Sequence, residues 1–223
     1  TGGNLAFNDK TAGDNKTVTS SGYNLSGTKV SNYTLGTITV NNANITKAPL
    51  TVTNITVKDK AYDGTTSAAF TAAPALLGIV SGDSVTLSNG VPTFKSKNYS
   101  ATPLEVDFTA FAITGPDAGN YTLTQPSSVT ANITKETLSV SVSPVSIECG
   151  QAIPTLTVNV SGFAAGENAS NVAGFSAPVA SQNYGSTTTP VTGAQLNVTY
   201  AGGNATNNYV FTYENSTTLT IKS

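Results

Sequence analysis

Apolar and polar residues alternate in short runs along most of this chain, and turn-forming residues separate one run from the next. Leu138, Val140 and Val142 show the pattern, with one serine between successive apolar residues. Strict alternation places every second side chain on the same face of a β-strand. Asn, Thr, Ser and Gly are abundant between the runs and favour tight turns. The pattern therefore predicts a mostly β fold made of short strands.

Two of the predicted strands change the face on which their apolar residues lie. The strand Leu50–Val57 changes after Val52, and the strand Leu104–Ile113, predicted to be the longest, changes after Phe108. An extra residue in one strand of a pair, called a β-bulge, produces such a change, and so does burial of both faces. We expect one of these two arrangements at each position.

Two short sequences recur at a constant spacing. Asn-Tyr-Thr-Leu occupies residues 32–35 and 120–123, and the related Asn-Tyr-Val-Phe begins 88 residues further on, at Asn208. Ala-Asn-Ile-Thr-Lys follows at residues 43–47 and 131–135, again 88 residues apart. A fixed period of this size predicts a tandem array of small domains. The predicted domains are the C-terminal half of a module (1–47), a complete module (48–135) and a third, related module (136–223).

One short helix is predicted in each complete module. In the central module this helix is Pro74–Val80, because proline stands at its first position, good helix formers follow and Gly82 comes just after its end. These are the usual signals at the two ends of a helix. In the third module a short helical segment is predicted near Gly166–Val172.

The junctions between the predicted modules are short. Four residues separate Ile45 from Leu50, and four separate Ile133 from Leu138, without a Gly/Ser-rich linker. We therefore expect the modules to lie end to end as a rod with little hinge freedom. The period also implies that about 41 residues of the first module precede Thr1. We expect residues 1–47 to be completed by that upstream segment or by a strand from a neighbouring protomer.

The composition excludes several classes of function. Charged residues make up 10% of the chain and the net charge is −2, so no basic surface for nucleic acid or for a membrane is expected. The sequence contains no signal peptide and no apolar run long enough to span a membrane. Because the chain begins within a repeat, we expect it to be a segment of a longer protein, and the missing signal peptide indicates nothing about location. Cys149 is the single cysteine, which excludes a disulfide within the chain.

Candidate catalytic and metal-binding residues are few. The chain has no histidine, which removes Ser-His and Cys-His catalysis, and no acidic pair has a spacing that indicates a general acid and base. We expect no enzymatic activity, no cofactor and no metal site. Cys149 has no histidine to lower its pKa, so a small buried residue is favoured over a reactive thiol. The aspartates are scattered among different loops, unlike a calcium loop, and the four considered are Asp59, Asp63, Asp83 and Asp117.

Tyrosines and glycines at recurring positions are predicted to be structural. A tyrosine that recurs in every module indicates packing, with its hydroxyl bonded to a preceding loop; a repeated ligand contact is the alternative. Tyr-Asp-Gly at residues 62–64 predicts a tight turn with Gly64 at positive φ, and a carboxylate that binds a cation is the alternative. No ligand-binding residue is assigned. The structural-motif residues are Tyr33, Tyr62, Asp63, Gly64, Gly119, Tyr121, Gly150 and Tyr209.

Three motifs occur in order in the central module: Ala-Tyr-Asp-Gly-Thr-Thr at 61–66, Val-Ser-Gly-Asp-Ser-Val-Thr-Leu at 80–87 and Ala-Gly-Asn-Tyr-Thr-Leu at 118–123. With them this module resembles the YDG repeats of large bacterial surface adhesins, the stalk repeats of filamentous haemagglutinin-like proteins. Residues 1–47 resemble the rear half of such a repeat. The third module resembles MBG-type repeats through residues 149–156 and 160–163, although Cys149 stands where that pattern usually has tyrosine.

The resemblance implies β-grasp-like modules with one short helix each, in a secreted, repetitive stalk at the bacterial cell surface. We expect a structural stalk or fibre module of an extracellular adhesin or surface filament, which spaces a distal binding tip from the cell. The alternative is a ligand-binding adhesion module that recognises glycan or protein through exposed loops, although the absence of tryptophan argues against glycan. The expected partners are neighbouring modules and other protomers that add strands. A Lys–Asn isopeptide cross-link is left open.

Overall fold

A computed structural model describes residues 3–223 of the chain, and at Asn89 the main chain alone. The described residues form twenty β-strands and two 3-10 helices of three residues each, Val30–Asn32 and Ala118–Asn120. The prediction of a mostly β fold is therefore confirmed.

The chain divides into two compact units, and each is built from several separate segments. The first unit contains Thr1–Thr56, Ala69–Pro92 and Asp107–Val129, and the second contains Val57–Ala68, Thr93–Val106 and Thr130–Ser223. The predicted module 48–135 contributes residues to both units. The module boundaries predicted from the repeat therefore stay predictions. The strands β8 (Pro92–Phe94), β9 (Leu104–Phe108) and β12 (Val129–Ala131) contain points at which the chain passes from one unit to the other.

The first unit contains three small sheets. β1, β2 and β3 form an antiparallel sheet, and β7 pairs antiparallel with β10. In the third sheet β4 is central, parallel to β11 and antiparallel to β6. Buried apolar residues of this unit, among them Leu50 and Phe111, lie outside the first 47 residues. The strands are β1 (Asn4–Phe7), β2 (Gly13–Ser21), β3 (Thr39–Ile45), β4 (Ala48–Thr53), β6 (Ala75–Leu77), β7 (Thr86–Asn89), β10 (Phe111–Thr114) and β11 (Tyr121–Thr124).

The second unit has a larger core. In a three-stranded sheet β14 is central, antiparallel to β16 and parallel to β19. A second sheet has four strands in the order β15-β20-β18-β17. Alternating residues of these strands, such as Leu196, Val198, Leu219 and Ile221, pack into one apolar cluster. The strands are β5 (Lys60–Ala61), β13 (Ile133–Thr134), β14 (Glu136–Val142), β15 (Val145–Glu148), β16 (Val158–Ser161), β17 (Val179–Gln182), β18 (Val191–Ala201), β19 (Tyr209–Tyr213) and β20 (Ser216–Lys222).

Both helix predictions are wrong. Residues 75–77 of the predicted helix Pro74–Val80 form β6, which pairs with β4, and Gly166–Val172 consists of turns and irregular segments. One or two turns of helix satisfy few main-chain groups and nucleate poorly in isolation. Pairing with a strand that is already buried therefore outweighs the local helix signals in Pro74–Val80.

Two of the predicted strands also differ from the structure. The predicted strand Leu104–Ile113 is interrupted between β9 and β10, just after Phe108, where its apolar pattern changes face, and β18 is the longest strand described. In the predicted strand Leu50–Val57, β4 ends at Thr53, and Asn54 has a φ of +59°. A left-handed residue reverses the local direction of the side chains, which explains the change of face after Val52.

Candidate functional site

The hydroxyl of Tyr121 is the centre of a polar cluster in the first unit. Tyr121 is 3% exposed, and its hydroxyl donates to Asp83 Oδ2 at 2.7 Å and accepts the main-chain N–H of Val80 at 3.0 Å. Lys10 Nζ lies 2.5 Å from Asp83 Oδ1 and 2.9 Å from Asp117 Oδ1. These contacts join three stretches of the chain that are far apart in sequence. The Tyr121 cluster is Lys10, Asp83, Asp117, Asn120 and Tyr121.

The charges of the Tyr121 cluster stabilise one another. The Lys10 ammonium and the Tyr121 hydroxyl lower the pKa of Asp83, whereas the pKa of Asp117 is lowered first by the main-chain N–H of Ser84 and then by Lys10. The two carboxylates in turn raise the pKa of Lys10. Burial raises the pKa of Tyr121, and its bond to Asp83 adds to that effect. The cluster therefore contains two carboxylates, one ammonium and a neutral phenol at neutral pH.

The second unit contains a similar cluster around Tyr209. Tyr209 is 1% exposed; its hydroxyl donates to Glu167 Oε2 at 2.5 Å and accepts the N–H of Ala164 at 3.0 Å. The hydroxyl of Tyr62 donates to Glu167 Oε1 at 2.7 Å, and the two tyrosine rings meet edge to face with centroids 5.4 Å apart. Lys97 Nζ lies 3.9 Å from Glu167 Oε1. The Tyr209 cluster is Tyr62, Lys97, Glu167, Asn208 and Tyr209.

In this cluster one carboxylate is shared by two phenols. Burial opposes ionisation of Glu167, but the hydrogen bonds from Tyr209 and Tyr62 outweigh it and lower the pKa of the carboxyl. Burial and the bond to Glu167 raise the pKa of Tyr209 to about 12, and the same two causes raise the pKa of Tyr62. Both tyrosines are thus held neutral and act as donors.

An asparagine beside each tyrosine makes the same main-chain contact. The Oδ1 atom of Asn120 accepts the N–H of Ala12 at 2.9 Å, and the Oδ1 atom of Asn208 accepts the N–H of Tyr99 at 3.0 Å. Asn120 and Asn208 lie 88 residues apart, and their donors lie 87 residues apart. Lys10 and Lys97 also lie 87 residues apart. The two clusters therefore repeat a set of contacts at the period of the sequence.

Tyr33, the third recurring tyrosine, lies in a different environment. Its side chain is 72% exposed, whereas Tyr121 and Tyr209 are buried. The local main chain is nevertheless alike, because a 3-10 helix precedes Tyr33 just as it precedes Tyr121. Exposure of Tyr33 therefore does not arise from a different local conformation.

The Tyr-Asp-Gly turn lies beside the Tyr209 cluster. Asp63 Oδ1 accepts the N–H of Thr65 at 2.9 Å and contacts Lys60 Nζ at 2.7 Å, and Gly64 has a φ of +77°, the conformation that the sequence predicts. Burial opposes ionisation of Asp63, but Lys60 and Thr65 lower its pKa. The carboxylate is thus occupied by protein donors.

The two other predicted glycines lie in turns of different types. Gly119 belongs to the 3-10 helix Ala118–Asn120, immediately before Tyr121. Gly150 has a φ of +83° and donates its N–H to the carbonyl of Thr187 at 2.9 Å. Both glycines therefore occupy main-chain positions next to strand ends.

Burial of Cys149 was predicted and is wrong. The side chain is exposed, and its Sγ atom lies 3.0 Å from the carbonyl oxygen of Thr188. β15 ends at Glu148, so Cys149 stands just outside the sheet, beyond the residues that pack into the core. An end-of-strand position explains the exposure.

The described residues offer few places for other ligands. Within residues 3–223 no group of three or more Cys, Asp or Glu side chains is placed to hold a metal ion. No helix in that part of the chain is long and apolar enough to cross a membrane. The two tyrosine clusters bring buried tyrosine hydroxyls and carboxylates together from distant parts of the chain.

Sequence reasoning missed the partners of the recurring tyrosines. No sequence pattern indicates a role for Glu167, and neither Asp83 nor Asp117 is predicted to be a partner of Tyr121. The spacing between Lys10 and Lys97 is a signal that the repeat analysis could have used. Phe7-Asn8-Asp9-Lys10 and Phe94-Lys95-Ser96-Lys97 share a phenylalanine three residues before the lysine at this spacing.

Comparison with known proteins identifies the family. The YDG domain matches residues 1–40 and 46–143, more than half of the chain. Neither a curated protein nor a solved structure matches the chain. The chain therefore belongs to the YDG domain family.

Proposed function

We propose that this chain is a structural stalk or fibre module of an extracellular bacterial adhesin or surface filament. In this proposal its tandem β-rich, β-grasp-like modules lie end to end and space a distal binding tip from the cell. Its partners are neighbouring modules, and it has no catalytic activity and no cofactor. The third module, residues 136–223, is taken as MBG-like.

The observation that carries the proposal is the repetition of the tyrosine clusters. In each cluster an Asn-Tyr pair of one predicted module contacts residues of the module before it: Ala12 for Asn120, and Tyr99 for Asn208. A lysine of the preceding module lies near the carboxylate that the tyrosine binds. A protein that only displays separate domains needs no such repeated contact, whereas a stiff array does.

The energetics of the contacts suit a joint between modules. The tyrosine hydroxyls and the carboxylates that accept from them are largely removed from solvent, and breaking such a hydrogen bond leaves a buried polar group without a partner. Bending at the joint would separate these groups and is therefore opposed. Repetition at a fixed spacing would extend this resistance along the whole array.

Small-angle scattering of the chain in solution tests the arrangement. A globule of 88 residues has a radius of gyration of about 12 Å, so each module is expected to add roughly 30–40 Å of length. We expect a rod-like distance distribution. The variant Lys10→Met/Glu167→Gln should broaden that distribution by loosening both joints, whereas Lys58→Met, outside the clusters, serves as the control. A compact three-domain profile for the native chain would contradict the proposal.

A second candidate function is recognition of glycan or protein. A pocket of about 310 Å³ adjoins the Tyr209 cluster, and polar side chains such as Asn98, Asn171 and Asn207 line it. Glycan-array and cell-binding assays with the native chain and Asn171→Ala separate this function from a purely structural one. Specific binding that Asn171→Ala abolishes, while melting is unchanged, would favour a binding module.

A further inference from the structure

One carboxylate of the Tyr121 cluster has no counterpart in the Tyr209 cluster. Asp117 stands four residues before Tyr121, and its Oδ1 atom lies 2.9 Å from Lys10 Nζ. The residue four places before Tyr209 is Ala205. A methyl side chain carries no charge and no hydrogen-bond acceptor. The second cluster therefore lacks the acidic group that this position supplies in the first.

Lys97, the lysine of the Tyr209 cluster, is only partly compensated as a result. Its Nζ atom lies 3.9 Å from Glu167 Oε1, too far for a hydrogen bond, and 48% of its side chain is exposed. Both oxygens of Glu167 already accept from hydroxyls, Oε1 from Tyr62 and Oε2 from Tyr209. The Lys97 ammonium can therefore bind a further carboxylate without displacing a hydrogen bond of Glu167.

The pocket beside Lys97 is lined by groups that bind hydroxyls. Its volume is about 310 Å³, at the lower end of the range for small-molecule sites. Neutral polar side chains line it, among them Asn98, Asn171, Thr206 and Asn207. Amides and hydroxyls both donate and accept hydrogen bonds, as the hydroxyls of a sugar do. The pocket thus combines the Lys97 ammonium with neutral polar walls.

The loop that carries Thr206 departs from the repeat at this pocket. Ala118, 88 residues earlier, belongs to the 3-10 helix Ala118–Asn120, whereas Thr206 has a φ of +67°, which is unusual for a β-branched residue. Asn204 fixes the loop, because its Oδ1 atom accepts the N–H of Thr206 at 3.0 Å and its Nδ2 atom donates to the carbonyl of Gly174 at 3.0 Å. Unfavourable conformations of this kind are concentrated at binding sites. This wall of the pocket is therefore preformed.

We propose that this pocket binds a uronic acid unit of an acidic polysaccharide. The carboxylate of the ligand pairs with Lys97, in the place that Asp117 has beside Lys10 in the other cluster. The ring hydroxyls of the ligand bind the amides of Asn98 and Asn207, and Glu167 keeps its bonds to the two tyrosines. A carboxylate on a hydroxylated ring matches a pocket that offers one ammonium and several neutral polar groups.

This inference rests on the recognition function considered above as the second candidate, and it gives that function a site and a ligand class. All residues of the site belong to the second unit, so no arrangement of modules is assumed. Scattering tests the stalk and titration tests the site, and either result can fail without the other. Recognition of a different ligand would appear in the glycan-array and cell-binding assays as binding that Lys97→Met leaves unchanged.

Titration of the ¹⁵N-labelled full chain with trigalacturonate tests the proposal by NMR. We expect saturable shifts at the amides of residues 97–98 and 204–208. Methyl-esterified trigalacturonate has the same sugar rings without the charge and should bind at least about tenfold more weakly, because the charge-assisted hydrogen bonds are lost. Binding of the acid should also weaken in about 1 M NaCl, which screens an exposed ion pair.

Variants of the chain locate the binding surface. Lys97→Met should weaken binding of trigalacturonate about tenfold, and Lys58→Met, outside the cluster, should leave it unchanged. Ala205→Asp places an internal carboxylate at the position of Asp117, so it should compete with the ligand and weaken binding by a similar factor. This variant keeps every other residue of the pocket and tests the site even if Lys97→Met fails to fold. Circular dichroism of the three variants checks their folding.

Three results would overturn the proposal. The first is the absence of saturable binding up to about 10 mM trigalacturonate, a concentration that detects even weak binding of a single sugar unit. The second is equal binding of the acid and its methyl ester, or binding that neither Lys97→Met nor Ala205→Asp weakens. The third is binding of acetylated triglutamate as tight as that of trigalacturonate, because an acidic peptide would then be the ligand.

Discussion

The Tyr121 and Tyr209 clusters share the same tyrosine–carboxylate hydrogen bond, but a different group binds the second oxygen of the carboxylate in each. In both, a buried hydroxyl donates to a carboxylate and accepts a main-chain N–H. In the Tyr121 cluster the other oxygen of the carboxylate binds Lys10, whose side chain is 66% exposed. In the Tyr209 cluster it binds the hydroxyl of Tyr62, and Lys97 stands further away.

This difference shows which part of the contact the repeat preserves. The Asn-Tyr pair and the loop carboxylate recur, whereas the group that satisfies the remaining carboxylate oxygen is an ammonium in one cluster and a phenol in the other. An exposed ion pair is weakened by salt, but a hydrogen bond from a buried neutral phenol is weakened mainly when the phenol ionises. The two clusters should therefore respond to different conditions.

Removing the Tyr209 ring should have the largest effect. Its ring contacts Tyr62 and Phe163 edge to face, with centroids 5.4 and 5.5 Å away. Tyr209→Ala should lower the free energy of unfolding by about 3–5 kcal/mol, because it leaves a cavity and a buried carboxylate with one donor fewer. Tyr33→Ala is the matched control and should change it by less than about 0.5 kcal/mol. Chemical denaturation of both variants measures the difference, and equal losses would show that burial does not distinguish the two tyrosines.

Alkaline pH should destabilise the Tyr209 cluster. The ordinary pKa of tyrosine is 10.0, and that of folded Tyr209 is about 12. Between these values the unfolded chain releases the proton and the folded chain keeps it, so stability falls as the pH rises from 10 to 12. Denaturation of the native chain at several pH values measures this slope. Tyr209→Phe should make the slope shallower, and a slope identical to that of the native chain would contradict the assignment.

A side chain at Gly64 tests the Tyr-Asp-Gly turn, which lies beside the Tyr209 cluster. A Cβ atom there would lie 3.6 Å from the Cβ of Ala164, an ordinary contact, so no clash is expected. The φ of +77° is unfavourable for a β-branched residue, and Gly64→Val should cost about 1 kcal/mol or more. Gly119→Val, where nothing lies within 4 Å of the added Cβ and φ is not in the positive range, is the control. If melting of Gly64→Val is unchanged, the turn is not rigid.

The smallest of the expected effects on stability is that of salt, and it should act mainly on the Tyr121 cluster. Lys10→Met removes an exposed ammonium from between two carboxylates and should lower the melting temperature modestly at low ionic strength. The loss should shrink in about 1 M NaCl, where the Debye length is about 3 Å. Lys97→Met should show a smaller salt-dependent change, because its nitrogen lies 3.9 Å from the Glu167 oxygen. A larger salt effect for Lys97→Met would reverse the comparison.

Local sequence patterns predicted the secondary structure correctly where the residues of a segment themselves determine its conformation. Alternation of apolar residues located β14, and Asp-Gly located the turn at Gly64. Local patterns failed at Pro74–Val80, because β4 offers a strand partner that the segment cannot reveal, and at Cys149, because the end of β15 decides its exposure. Each failure concerns a residue whose environment is supplied by another part of the chain.

The sequence by itself determined the mostly β class, the recurring Asn-Tyr positions and the positive φ of Gly64. It could do so because alternation, period and glycine conformation are properties of neighbouring residues. The tertiary structure alone decided that Lys10 meets Asp83, that Glu167 is shared by Tyr62 and Tyr209, and that Tyr33 stays exposed. Charges and hydroxyls separated by 38 to 105 residues have no local signal for one another, and only folding brings them within hydrogen-bond distance.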